Sequence, residues 1–242
     1  MDIKSSAEFA RRTGISEADQ ALLGTLPLFK GMAPALLQTL LADASVRRYT
    51  RHLMLFLQGE PAVRFYVVFD GWVKLFRETT DGHETVIAVF SRGESFAEAA
   101  SFAEGVFPIS AEIIEDARLL VVPTDLFTRR LRANPELAIN MLGSMSQHLR
   151  DLVQQVEQRT VKTAAQRVAA FLLRLCTNQS GGAEINLPTE KALVAARLGM
   201  QPETLSRALA KLRAVGVETR ERKIIIQDIA ALIRLVEGDG GR

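Results

Sequence analysis

Between Pro135 and Thr160, the apolar residues Leu142, Met145, Leu149, Leu152 and Val156 recur at alternating intervals of three and four. That spacing is a heptad seam, the pattern with which one helix buries a narrow stripe against another. Gln147, His148, Arg150, Asp151, Gln154, Gln155 and Glu157 lie between, all polar. Asn134 can cap the helix and Pro135 can open it. At 1.5 Å per residue the helix runs roughly 35–40 Å, the width of a small domain. Two readings fit: a core helix of one globular domain, or a dimer-forming spine that joins two. The narrow seam and the change of composition across it favour the spine.

That change is partly one of charge. Residues 160–242 carry 13 basic and 8 acidic side chains, whereas residues 1–159 carry 17 and 20. A basic C-terminal third suits a polyanionic partner. The chain of 242 residues is long enough for two ordinary domains. A single cysteine, Cys176, excludes an intrachain disulfide framework and any four-cysteine cluster within one chain. Cys176 itself reads as a small buried hydrophobe on a helix face. No apolar run approaches a membrane span, and Met1 to Arg12 has no signal-like apolar segment, so the cytoplasm is the expected location.

Residues 1–14 are polar and are expected to fray. Ile15 to Ala44 reads as short helices, with Leu36, Leu37, Leu40 and Leu41 following Pro34. From Ser45 to Val122 the texture changes to short runs of Val, Ile, Phe and Tyr cut by Gly59, Gly71, Gly82 and Gly93. That spacing predicts successive strands of a jelly roll or barrel, with Asp70-Gly71 and Asp81-Gly82 as hairpin turns. Two later strands are expected, Ala111–Ile114 and Arg118–Val122. Pro123 ends them, and a short helix from Asp125 to Leu131 leads into the spine. Beyond the spine, Ala164 to Cys176 forms a helix with Val168, Phe171, Leu172 and Leu175 on one face. Asn178 to Gly182 is a loop, and the tail from Gly238 is expected to be disordered.

Leu187 to Leu212 predicts two helices about a tight turn. Thr189 can cap the first, Ala195 is small where the helices cross, Gly199 supplies the turn, and Pro202 opens the second. Val194, Leu198, Leu205, Leu209 and Leu212 face inward. Glu203, Ser206, Arg207 and Lys211 are left on the outer face near the start of the second helix, the end that a recognition helix points into the major groove. Arg207 can fork onto guanine O6 and N7, and Glu203 can accept from cytosine N4. Val217 to Gln227 predicts a hairpin with Arg220-Glu221-Arg222 at its tip. That basic tip, with Lys191 or Arg197, suits phosphates. The alternative is a plain helical hairpin with a solvated face; the small-residue, glycine, proline order in a basic setting favours DNA.

In this order of elements the chain resembles the Crp/Fnr family of bacterial transcription regulators from about Leu26 onward. The most specific stretch is Gln201-Pro202-Glu203-Thr204-Leu205-Ser206-Arg207, which is similar to the Fnr-type recognition helix, its opening most similar to the nitric oxide-responsive Dnr branch. The resemblance implies an α+β fold: an N-terminal β-roll of the cyclic-nucleotide-binding kind (residues 15–132), a long dimerisation helix (133–160) and a C-terminal winged helix-turn-helix (161–238). It also implies a homodimer on TTGAT-like half-sites, base contacts from Glu203, Ser206 and Arg207 with Thr204, Lys211, Lys191 and Arg222 nearby, and RNA polymerase as a partner. Pro202 stands where catabolite activators have an arginine, so one contact of that subgroup is missing.

Family members that bind cyclic nucleotides hold the phosphate with a helix start after Gly-Glu and with an arginine before Ser or Thr. A buried phosphate needs that cation. Here the glycine is Ala97 and the arginine is Ile109, while Glu98 and Ser110 match. No Lys or Arg occurs from Gly93 to Ala117. Cyclic AMP and cyclic GMP are therefore disfavoured, and an apolar pocket is expected, with Phe96, Phe102, Phe107 and Ile109 as lining; plain core is the competing role for the phenylalanines. Cys176 alone cannot hold an iron–sulfur cluster. Similarity to the Dnr branch implies haem as a nitric oxide sensor. Of His52, His83 and His148, only His148, on the spine, is placed to ligate near a dimer interface. An effector-free regulator is a rival, as is an effector-binding adaptor that does not read DNA. An enzyme is not expected: the sequence holds no phosphate-binding loop, metal-spaced cluster or nucleophile with its base.

Overall fold

The computed structural model describes residues 3–78, 84–157, 163–178, 180–188 and 191–237, with the side chains of 3–6, 104, 148 and 151–157 left aside. The chain divides into two units, Met1–Arg159 and Thr160–Arg242.

The first unit is built on two long strands, β3 (Arg64–Glu78) and β6 (Ser110–Pro123), paired antiparallel from Arg64↔Pro123 to Phe76↔Ser110. β1 (Ser45–Tyr49) and β2 (Met54–Phe56) join β6, and β4 (Glu84–Ser91) and β5 (Glu94–Phe96) join β3. Side chains along β3 alternate between two cores. Phe65, Val67 and Phe69 face one cluster, with Leu120 and Val122 of β6; Tyr66, Val68 and Val73 face the other, with Leu119 and Val121. A strand covered on both faces needs no polar alternation, which is why the run Phe65–Phe69 is continuously apolar.

Helices α1 (Ile3–Thr13), α2 (Glu17–Leu23) and α3 (Pro34–Leu40) cover the first cluster, together with α4 (Thr124–Ala133) and the start of α5 (Pro135–Glu157). The expectation of a frayed N-terminus is corrected here. Phe9 and Ile15 are buried in that cluster, and the buried Thr13 hydroxyl donates to the Phe9 carbonyl at 2.8 Å. One phenylalanine and one isoleucine suffice to pin a segment that is otherwise polar.

Two further expectations change. Asp70-Gly71 is not a hairpin turn; β3 runs through it, bulged, beside an equally continuous β6 that replaces the two expected strands. Gly71 has φ +83°, and a Cβ there would strike the Asp116 carbonyl oxygen and the Ala117 Cα. The glycine thus lets the two backbones touch where both strands bend. Asp81-Gly82 lies outside the described residues, although β3 and β4 pair on either side of it up to Glu78↔Glu84.

Asp19 ties the helices to the sheet. Its carboxylate completes a capping box with Ser16 and takes two hydrogen bonds from Arg118 of β6, at 2.9 and 2.5 Å. Burial pushes this carboxyl up, but hydrogen bonds from Arg118 and Ser16 win and hold it below its ordinary value.

On α5, Leu137 and Met141 are buried, and the Ser144 hydroxyl donates to the Pro27 carbonyl at 2.6 Å. On another face Leu142, Met145 and Leu149 are 65%, 50% and 64% exposed, and Ile139, three residues earlier, extends the stripe at 67%. The side chains of Leu152 and Val156 lie outside the described residues.

In the second unit, α6 (Ala164–Leu175) buries Val168, Phe171, Leu172 and Leu175 as expected. Cys176 is the half-buried residue that caps it, not a member of the helix face. α7 (Lys191–Arg197) and α8 (Pro202–Leu212) follow a strand the sequence did not reveal, β7 (Ala183–Asn186). β7 completes a three-stranded sheet with the hairpin β8 (Val217–Arg220) and β9 (Lys223–Ile226), and α9 (Ile229–Glu237) packs on α6.

Gly71→Ala should destabilise the first unit by about 2–4 kcal/mol in urea unfolding, because strain and overlap fall on backbone atoms. Asp19→Asn should cost about 1–3 kcal/mol at pH 7. A carboxyl held low stabilises above its unfolded value and loses that effect as pH falls through the folded one. The gap between wild type and Asp19→Asn should therefore close below about pH 4.

Candidate nucleic-acid interface and effector cassette

The two helices of the reader are set by local rules. Gly199, at φ +59°, turns the chain after α7, and the Met200 amide donates to the Ala195 carbonyl at 3.0 Å. Gln201, extended, precedes Pro202, whose missing N–H costs nothing at a helix start. Leu205, Ala208, Leu209 and Leu212 are buried beneath α8, with Leu193, Val194 and Ala195 buried on α7. This leaves Glu203, Ser206 and Arg207 exposed at spacings of three and four along one face. Thr204 is half-buried, and its hydroxyl accepts from Arg207 Nη2 at 3.5 Å, beside the guanidinium's remaining donors.

Other expected contacts divide. Lys211 is exposed, but on the last turn of α8, about 12 Å along the axis from Glu203, and so not near its start. Lys191 is exposed at the first residue of α7, and Arg222 is exposed in the wing turn. Arg197 is half-buried with its guanidinium over the Phe171 ring, 5.5 Å from the centroid, which gives it a packing role. Thr189 lies outside the described residues. What sequence reasoning missed is the carboxylate set of the sheet: Glu184 pairs with Lys223 at 2.5 Å and Glu218 with Arg220 at 3.0 Å. The period-two alternation of Ala183–Asn186 was the available signal.

In the first unit, β5 leads into Ala97, which holds φ +71° despite its Cβ, then into a π-helical turn, Ala100–Glu104. Burial pushes the Glu98 carboxyl up, against a hydrogen bond from Ser95 that lowers it. The buried Ser110 hydroxyl accepts from the Gln58 amide at 3.0 Å, and Ile109 packs on the second cluster. The expected lining does not converge. Phe96 stacks on Tyr66 at 5.0 Å and Phe107 on Phe56 at 3.7 Å, both inside the second cluster. Phe102 lies against Phe65 and Phe127, which belong to the first. The rings divide because β3 sends Phe65 and Tyr66 to opposite faces.

A haem would need an axial ligand beside an apolar pocket in this cassette. His52 is the one histidine whose side chain is described; it is 68% exposed, with Nδ1 3.3 Å from Glu112. Phe96 and Phe107 are already stacked in the core. The described residues therefore do not fit a haem; His83 and the His148 side chain lie outside them.

The pattern of the cyclic nucleotide-binding domain matches residues 46–134, and that of the Crp-like helix-turn-helix domain matches residues 166–235. The cyclic AMP receptor protein of Thermus thermophilus is 31% identical over 79% of this chain and 87% of its own length. The chain belongs to the Crp/Fnr family of transcription regulators. Members of this family regulate transcription and are not enzymes. Like them, this Crp/Fnr protein has an α+β fold with a β-roll and a C-terminal helix-turn-helix. A crystal structure of a Ruegeria pomeroyi protein named for cyclic nucleotide binding matches with 43% identity and a TM-score of 0.84, over 92% of this chain and 99% of that one. DNR from Pseudomonas aeruginosa matches with 31% identity and a TM-score of 0.55, over 91% and 98%. Among the described residues, no helix is long and apolar enough to cross a membrane.

Arg207→Ala should cost about 1–3 kcal/mol and relax one base position in a competition binding assay across single-base operator variants. Equal weakening on every sequence would remove Arg207 from the base-reading set.

Proposed function

We propose that this chain is a homodimeric regulator that reads a palindrome of TTGAT-like half-sites, under a small effector that is not a cyclic nucleotide. In this reading residues 15–132 sense, 133–160 dimerise and 161–238 bind DNA. Glu203, Ser206 and Arg207 contact bases; Thr204 positions Arg207; Lys191, Lys211 and Arg222 face phosphates. Ile139, Leu142, Met145 and Leu149, with Leu152 and Val156, form the seam between protomers, since an apolar stripe this exposed is best covered by its own copy. RNA polymerase is a partner by family resemblance, and the cytoplasm is the matching location.

The cassette carries the effector reading. Ala97 holds a left-handed turn, yet Ile109 stands where the family's cation is needed, and no Lys or Arg occurs from Gly93 to Ala117. A cyclic phosphate there would have no arginine to offset its charge. Likeness to DNR supports a second reading, in which nitric oxide acts through haem; it rests on the resemblance and on His148.

A gel shift on a TTGAT palindrome, across salt and with or without cyclic AMP or cyclic GMP, tests the proposal. Affinity should fall steeply with salt, through counterion release, and ignore both nucleotides. Tenfold tighter binding with either nucleotide would overturn the effector reading. The absorption spectrum of protein supplied with haem decides the second reading, a Soret band lost in His148→Ala being its signature.

A further inference from the structure

The wing carries an arrangement that folding alone does not favour. Arg220 and Lys223 are direct cross-strand partners at the tip of the β8–β9 hairpin, and like charges placed opposite each other destabilise a hairpin. Two residues behind them, in the row centred on Ile225, stand Glu184 on β7 and Glu218 on β8. Residues two apart on a strand share a face, so two cations at the tip are backed by two carboxylates on that face.

The carboxylates engage the cations. Lys223 Nζ lies 2.5 Å from Glu184 Oε1, and Arg220 Nη2 lies 3.0 Å from Glu218 Oε2. Glu218 is itself held in place: its other oxygen accepts from Gln227 Nε2 at 3.1 Å, and the Gln227 backbone amide donates to the Gly216 carbonyl at 2.9 Å. All four charged side chains stay between 44% and 70% exposed, so each pair is weak and exchangeable.

We infer that Glu184 and Glu218 hold down the affinity for DNA by occupying Lys223 and Arg220 until backbone phosphates displace them. The inference rests on the DNA-reading function proposed above. A phosphate seated at the tip neutralises the Arg220–Lys223 pair more fully than two exposed carboxylates. The cost of this displacement falls on every duplex; without the half-site, α8 gains no base contacts to exceed it, and binding is weak. They act as positioning residues and contact no base.

The test is fluorescence anisotropy on the TTGAT palindrome and on a scrambled duplex, at several salt concentrations, with wild type, Glu184→Gln/Glu218→Gln and Arg220→Gln/Lys223→Gln. The carboxylate variant should bind both duplexes about three- to tenfold tighter, with steeper salt dependence. The cation variant should weaken both duplexes and lower the salt slope by about 1–2. Single Glu184→Gln, at an exposed site, keeps the test open should the double variant misfold, and should move the same way by a smaller factor. Unchanged scrambled binding in the folded carboxylate variants, with the palindrome still bound, overturns this inference alone. If wild type ignores both duplexes, the DNA-reading proposal falls and this inference with it.

Discussion

The pairing of β3 with β6 is the constraint on which the first unit depends. Both strands are covered on two faces, so each supplies side chains to the helix-covered cluster and to the interior of the roll. That double duty requires the backbones to bend together, and the bend requires close approach at Gly71. From this pair hang the N-terminal helices, through Phe9, Ile15 and the Asp19–Arg118 bridge, and α4, through Phe127. The start of α5 is fixed by the same cluster, leaving its other face apolar and exposed.

Charge placement separates the two functional regions. In the cassette, Ala97 holds a left-handed turn, and Ile109 stands where the family resemblance puts an arginine. In the second unit the logic reverses: cations are abundant, and the exposed wing pairs hold two of them in check.

Local patterns were legible wherever a short-range rule decides the conformation. Gly199, Pro202 and the inward leucines foretold α7 and α8, and the heptad seam foretold the exposed stripe on α5, short of Ile139. Failures came where burial is decided by distant chain. Asp70-Gly71 has a turn's composition, yet strand pairing with residues more than forty positions away overrides it. Residues 1–14 look polar, yet Phe9 finds a core built from strands beyond it. The phenylalanines of the cassette look like one pocket in sequence, but pleating sends neighbours to opposite faces. Strand β7 went unseen because four residues of alternating burial carry little signal alone.

The sequence by itself determined the family, the helix-turn-helix and the loss of the phosphate-binding cation, because each follows from residue identity at short spacing. Only the tertiary structure decided that Phe96 and Phe107 are core, that Arg197 packs on Phe171 and that Glu184 and Glu218 pair with Lys223 and Arg220. Those outcomes depend on strand register and on which face a side chain meets, and register is fixed by contacts between segments far apart in the chain.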